Sequence, residues 1–177
     1  MLLDLKKAFD SVDHKILFDK LHLYGIVGDI LKWCMSYLNN RHQICKINNI
    51  KSSTSKLIEC RLPQGSNLGP LLFLICINDL PNCLDHSEHS MFKDDTNITM
   101  SADSVDYLEI ELNSDLDSIH QWLVGNRLSL NVSKTEYIII HVGSRHNLNK
   151  IIEGPIIKIG DQLVNRVYTT KSLVCYR

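Results

Sequence analysis

Between residues 103 and 124, Val105, Leu108, Leu112, Leu116, Ile119 and Leu123 recur at steps of three and four. That period is the period of an α-helix, and it draws one apolar stripe along the whole segment. A stripe of this kind must be laid on another layer of structure, so the rest of the chain has to supply a sheet or further helices to receive it. "MLLDL" at residues 1–5 reads as a buried strand ending in an acid. "SVDHKILFDKLHLYG" reads as a helix capped by Asp13, with Ile16, Leu17, Leu21 and Tyr24 on one face and Gly25 as its stop. A second helix runs through Trp33 to Leu38. Residues 42–48 and 56–62 read as two strands joined by the polar "NNIKSSTS", and "LLFLICINDL" as a buried helix ended by Pro81. "SMFKDDTNIT" forms a hairpin with Asp94 and Asp95 at its tip, and "LSLNVSKTEYIIIHV" and "PIIKIGDQLV" supply later strands. The expected fold class is α+β, with a mainly antiparallel sheet flanked by helices.

With 177 residues, 44% of them hydrophobic, the chain is large enough for one domain with a real core. No stretch approaches the ~20 apolar residues of a membrane-spanning helix, and the charges in "MLLDLKKAFD" come too early for a secretory leader, so no membrane partner is expected. Cys34, Cys45, Cys60, Cys76, Cys83 and Cys175 are scattered without a C-x-x-C pair, several in apolar runs. That distribution implies thiols in a reducing, intracellular compartment, nuclear or cytoplasmic, and no disulfides. A net charge of -1 argues against a protein that grips nucleic acid by bulk electrostatics alone.

Asp94 and Asp95 are adjacent like charges in a strand-like context, which is unfavourable unless something offsets it. A hairpin turn would do so, because Asp tolerates turn geometry. A divalent cation would also do so. Asp4 ends the first strand, and the simplest antiparallel sheet sets that strand end beside the hairpin tip, so three carboxylates would converge. Hard cations such as Mg²⁺ or Mn²⁺ take carboxylate oxygens, and two of them can clamp the attacking and leaving oxygens of a phosphoryl displacement. Cys83, His86 and His89 form a C-x-x-H-x-x-H run of zinc-ligand types with no evident fourth ligand.

"LDLKKAFDSVDHKIL", "LPQGSNLGPLLFLICINDLP", "FKDDT" and "NRLSLNVSKTEYIII" resemble, in order and spacing, successive motifs of the reverse transcriptases of non-LTR (LINE-like) retrotransposons. The resemblance spans roughly residues 1–142, and four ordered motifs are far more specific than one. It implies a polymerase palm with part of the fingers and no thumb. The chain is then one partial reverse transcriptase domain over 1–177, truncated, with 143–177 as the degenerate end of the palm. It also implies an RNA-directed DNA polymerase, with RNA template, DNA primer and deoxynucleoside triphosphates as partners. Carried across residue by residue, Asp4 and Asp94 look like the carboxylates binding both metals, with Asp95 as the supporting third. Leu5 would lend a backbone carbonyl to the metal. The amides of Lys7 and Ala8 would face the triphosphate, and Phe9 resembles the aromatic gate that excludes a ribose 2′-hydroxyl. Gln64 and Gly65 look like the loop touching nucleotide and template, and Lys134 resembles a proton donor to pyrophosphate.

Several positions depart from the pattern. Lys93 stands where the family typically has Ala, Arg61-Leu62 where it has Gly-Val, Asn67 where it has Val, and "SLVCYR" where a "YLGV"-like stretch is expected. The palm fragment is expected to be inactive alone, and such changes put forward a first alternative, a decayed retroelement relic that at most binds nucleic acid or a partner. A two-metal nuclease is the other alternative. "PQGS" and a gate-like aromatic five residues after Asp4 favour the polymerase, since a nuclease has no incoming sugar to select.

Overall fold

A computed structural model describes residues 1–51, 54–58, 60–63, 65–92, 95–140 and 154–169. In chain order the elements are β1 (Leu2–Leu3), α1 (Ala8–Ser11), α2 (His14–Leu23), α3 (Gly28–Leu38), β2 (His42–Gln43), β3 (Lys46–Ile47), β4 (Ile50–Lys51) and β5 (Lys56–Leu57). They continue with α4 (Leu68–Ile77), a 3₁₀ turn at Leu80–Cys83, β6 (Glu88–Phe92), β7 (Asp95–Thr99), α5 (Val105–Gly125), β8 (Glu136–Tyr137), β9 (Lys158–Ile159), β10 (Gln162–Leu163) and β11 (Asn165–Arg166). The chain forms two compact units, one of residues 1–6 with 79–177 and the other of residues 7–78. Helices and strands are mixed and strand pairing is mainly antiparallel, as the α+β expectation requires.

The first unit is built on a five-stranded sheet in the order β11-β8-β1-β7-β6. Every neighbouring pair is antiparallel except β11 with β8. β1 pairs Leu2 with Asn97 and Leu3 with Thr96. Residues directly opposite one another share a face, so Leu3 and Thr96, each 2% exposed, lie on the buried face. α5 supplies the helical layer and starts at Ser104, whose hydroxyl accepts from the Tyr107 amide. Its stripe is buried at Leu112, Leu116, Ile119 and Leu123, and the helix packs on β9 and on the 3₁₀ turn.

Asp115 sits on the same buried side of α5 at 1% exposure. Its carboxylate accepts from the amides of Asp85 at 3.0 Å and His86 at 3.2 Å, giving two loop donors a charged acceptor. The run Cys83, His86 and His89 is not gathered for a metal. The Cys83 thiol donates to the Leu80 carbonyl, His86 Nε2 lies 2.8 Å from Glu111, and His89 belongs to β6.

In the second unit α2 follows its sequence closely. The Asp13 carboxylate accepts from the amides of Lys15 and Ile16, and the chain leaves the helix through Gly25 at φ +82. Leu17 and Leu21 are fully buried, whereas Tyr24, expected on the same face, is exposed. The buried Lys20 ammonium donates at 2.6 Å to the carbonyl of Cys76 in the last turn of α4, where helical carbonyls lack intrahelical partners.

Three expectations need correction. α4 stops at Ile77, before Pro81, which instead occupies the 3₁₀ turn and whose missing N–H costs nothing there. The strands expected over 42–48 and 56–62 survive as two-residue ladders, β2 with β5 and β3 with β4, the second a hairpin inside the first. The long strand expected in "LSLNVSKTEYIIIHV" is broken by a turn at Asn131–Thr135, leaving β8 alone among the described residues. Within that turn Ser133 Oγ donates to Asn131 Oδ1 at 2.8 Å, the local side-chain bonding that competes with a ladder.

Candidate active site

Asp4 follows β1 directly and Asp95 opens β7. Continuing the pairing of Leu2 with Asn97 and Leu3 with Thr96 by one step sets Asp4 opposite Asp95. Because faces alternate along a strand, both carboxylates fall on the face away from Leu3 and Thr96. Both residues are half-buried. β6 and β7 pair through Phe92 and Asp95, so the hairpin lies where the sequence places it, with Asp95 in the strand rather than at the tip. Lys93, Asp94 and Gln64 lie outside the described residues. Among the described residues no group of three or more His, Cys, Asp or Glu is arranged to hold a metal, and the third expected carboxylate, Asp94, is not one of those residues.

The backbone of Asp4 is held by the turn that follows residue 130. Leu5 bridges Leu130, flanked by hydrogen bonds from Lys6 N to Ser129 O at 2.8 Å and from Asn131 N to Asp4 O at 2.7 Å. In this kind of antiparallel pair the central residue's own N–H and C=O point away from the partner strand, so the Leu5 carbonyl is turned away from residues 129–131. The Asp4 amide donates to Thr135 Oγ1 at 3.3 Å, and that hydroxyl donates to the Asn131 carbonyl at 3.1 Å. Lys134, in the same turn, is exposed, and its amide donates to the Asn131 carbonyl at 3.0 Å.

The second unit holds the remaining expected site residues. Lys7 adopts the left-handed region at φ 51 and precedes α1, whose first residue, Ala8, is buried. The Phe9 ring stacks on the fully buried Phe73 of α4, with centroids 4.8 Å apart, and its carbonyl accepts from Leu62 N at 2.8 Å. That bond, with Arg61 N to Val12 O at 2.9 Å, runs the segment before "PQGS" alongside the segment after Phe9. Gly65 has φ +78, which a residue with a Cβ rarely adopts; a Cβ there would meet nothing within 4 Å among the described residues. Backbone conformation is therefore what asks for glycine here. Ser66 Oγ accepts from the Gly69 amide at 3.0 Å, in the first turn of α4.

Sequence reasoning missed Thr135 and Phe73, whose side chains meet Asp4 and Phe9 from far along the chain, and Asn131, whose backbone amide meets Asp4; no local pattern announces such pairings.

The fold and these residues define a class, an α+β domain with paired carboxylates at adjacent strand ends, and comparison with known proteins gives the family. The family model of reverse transcriptase (RNA-dependent DNA polymerase) matches residues 1–165, and the chain belongs to that family. The match reaches past residue 142, where the motif resemblance ends, and takes in β9, β10 and the first residue of β11. The chain is 29% identical over 145 residues to the RNA-directed DNA polymerase from mobile element jockey of Drosophila melanogaster, covering 75% of this chain and 15% of that protein. To the jockey protein of Drosophila funebris it is 27% identical over 180 residues, covering 97% of this chain and 18% of the relative. A third relative, "Probable RNA-directed DNA polymerase from transposon BS" of Drosophila melanogaster, is 32% identical over 87 residues, 46% of this chain and 9% of the relative. The kinship with non-LTR retrotransposon reverse transcriptases is thereby shown. The chain spans less than a fifth of the length of each of these relatives. No described helix is long and apolar enough to cross a membrane.

Proposed function

We propose that this chain is the palm, with part of the fingers, of an RNA-directed DNA polymerase that joins a deoxynucleotide to a primer 3′-hydroxyl on an RNA template. The observation that carries the proposal is the register of β1 and β7, which sets Asp4 opposite Asp95 on one face of the central sheet. Two carboxylates brought to one face of the sheet offer an all-oxygen donor set, which suits Mg²⁺ or Mn²⁺. Asp4, Asp94 and Asp95, with the Leu5 carbonyl, are the residues assigned to hold it. When bound, such ions activate the attacking hydroxyl and neutralise charge on the departing pyrophosphate.

The other roles follow the family pattern. Lys7 and Ala8 are assigned to the triphosphate through their amides, and Gln64 and Gly65 to the nucleotide and template. Phe9 is assigned to sugar selection, a role that its stacking on Phe73 supports by restricting the ring to one place. Lys134 is exposed, as a proton donor to pyrophosphate would have to be.

Titration calorimetry of the 177-residue chain with Mg²⁺ and Mn²⁺, beside Asp4→Asn and Asp94→Asn, tests the proposal. Weakened binding in both variants is expected, and unchanged binding in both overturns the metal assignment.

A second reading, a decayed copy without polymerase activity, is favoured by Arg61. It occupies φ 102, a conformation suited to the glycine that the family typically has there. Primer extension on an RNA template decides between the two. The 177-residue chain is expected to give no product, and extension by the same chain set between the flanking segments of a relative would reject the decayed reading.

A further inference from the structure

Three hydrogen bonds close a ring around the backbone of Asp4. Asn131 N donates to Asp4 O at 2.7 Å, Asp4 N donates to Thr135 Oγ1 at 3.3 Å, and Thr135 Oγ1 donates to Asn131 O at 3.1 Å. The ring joins residues 131 positions apart in sequence. Thr135 is fully buried, so its hydroxyl has no water to exchange for these partners. β1 ends at Leu3, and Asp4 therefore stands past the last residue that the β7 ladder holds. The pairing with β7 stops one residue short of the carboxylate, and the turn at 131–135 takes over from the other side. That turn also carries Lys134, whose amide shares the Asn131 carbonyl with the Thr135 hydroxyl.

We propose that Thr135 is a positioning residue: its hydroxyl fixes the Asp4 backbone at the register step where the carboxylate faces Asp95, and so sets the affinity of the carboxylate pair for a divalent cation. This rests on the metal assignment made above. A hydroxyl one bond removed from a metal ligand acts by holding the ligand's direction, and loss of such a partner typically weakens metal binding severalfold or more. The same turn ties the position of Lys134 to that of Asp4, so a change at Thr135 reaches two expected site residues at once.

The test uses the 177-residue chain, Thr135→Val, which keeps the shape and removes the hydroxyl, and Thr135→Ser, which restores it. Mn²⁺ titration is read beside hydrogen exchange of the Asp4 amide and urea unfolding. Thr135→Val is expected to weaken Mn²⁺ roughly tenfold and to speed exchange at Asp4, while Thr135→Ser stays close to wild type in both. Equal Mn²⁺ affinity in wild type and Thr135→Val overturns the proposal, as does an Asp4 amide that stays equally protected. If Thr135→Val unfolds, Thr135→Ser must match wild type in Mn²⁺ affinity and Thr135→Ala, which also lacks the hydroxyl, must speed exchange at Asp4; failure of either overturns it. A wild-type chain that binds no Mn²⁺ overturns the metal assignment and this proposal with it, and the exchange measurement then shows whether the hydrogen-bond ring itself was misread.

Discussion

His14 Nε2 lies 2.9 Å from the carbonyl oxygen of Arg61, a bond between residues 47 positions apart. A carbonyl only accepts, so Nε2 must carry the proton, and the buried imidazole is fixed as a donor at that nitrogen. The bond pins a residue whose φ of 102 is otherwise unfavourable for a side chain with a Cβ. Arg61 is further held by its amide on Val12 O, by Gln43 at 3.2 Å and by Asp10 at 3.3 Å.

Arg61→Gly and Arg61→Ala separate the cost of the backbone from the worth of the side chain. Both remove the guanidinium, but only glycine relieves the conformation. Arg61→Gly is expected to be the more stable of the two by about 1 kcal/mol in urea unfolding, despite the larger backbone entropy of glycine. Equal stabilities would mean that the surrounding bonds leave no strain to relieve. The partly exposed pair with Asp10 contributes little, so Asp10→Asn should change stability by under about 1 kcal/mol.

Asp115 anchors the loop before β6 from inside the helix layer. Asp115→Ala leaves the amides of Asp85 and His86 without their charged acceptor and should cost about 3 kcal/mol, while Asp115→Asn, which keeps one acceptor oxygen, should cost roughly half as much. Chemical denaturation read at Trp122 and by circular dichroism would check the order. A neutral Asp115→Ala would show that solvent replaces the carboxylate.

Thiol chemistry should divide the cysteines by burial. Burial pushes the Cys34 thiol up, and it pushes Cys83 up with help from the neighbouring Asp115, Asp79 and Asp85 carboxylates. Cys76 is 1% exposed. Since the thiolate is the nucleophile, these three should lag Cys45 and Cys60, both exposed, in reaction with a disulfide reagent at neutral pH. Raising the pH should narrow the lag at Cys34 and Cys83, because both thiols ionise at a higher pH than usual. Mass spectrometry on a Cys175→Ser background would assign each site.

Phe9 offers a test of sugar selection. In a form competent for primer extension, Phe9→Val should admit ribonucleotides by removing the ring that stacks on Phe73. It should also cost about 1 kcal/mol of stability or more, from the lost aromatic pair and buried area. A stability loss with unchanged preference for deoxynucleotides would assign Phe9 to core packing alone.

The contrast between what sequence could and could not reveal follows interaction range. α2 was legible from its cap, Asp13, and its apolar spacing, and α5 from its apolar spacing, because these signals are local and local energies decide helices. The β6–β7 hairpin was legible for the same reason, and the convergence of Asp4 with Asp95 followed from it once the first strand was recognised. Lengths of strands were not. Apolar residues at 128, 130 and 132 alternate like a strand, but Asn131 and Ser133 bond each other and bend the chain instead. Arg61 carries no mark of its positive φ in its own chemistry, because that conformation is imposed by Val12, His14 and Phe9 from another part of the unit. Thr135 looked like one more strand residue beside Lys134, and only the fold shows its hydroxyl on the Asp4 amide.

The interrupted layout of the first unit has a consequence for how the molecule is made. β1 finds its partners at Asn97 and Glu136, and the whole second unit, residues 7–78, is spelled out between them. As the chain leaves the ribosome, Leu2 and Leu3 must therefore wait, apolar and without these ladder partners, while residues 7–78 are made behind them. Closing so long a loop costs entropy before any contact repays it, which places the assembly of the central sheet late and makes it slow. Asp4 and Asp95 become neighbours only at that step, so the carboxylate pair is a product of the last stage of folding. A nascent chain stalled before residue 95 would hold Phe9 and Gly65 but lack Asp95, and so have no facing carboxylates with which to take up a cation.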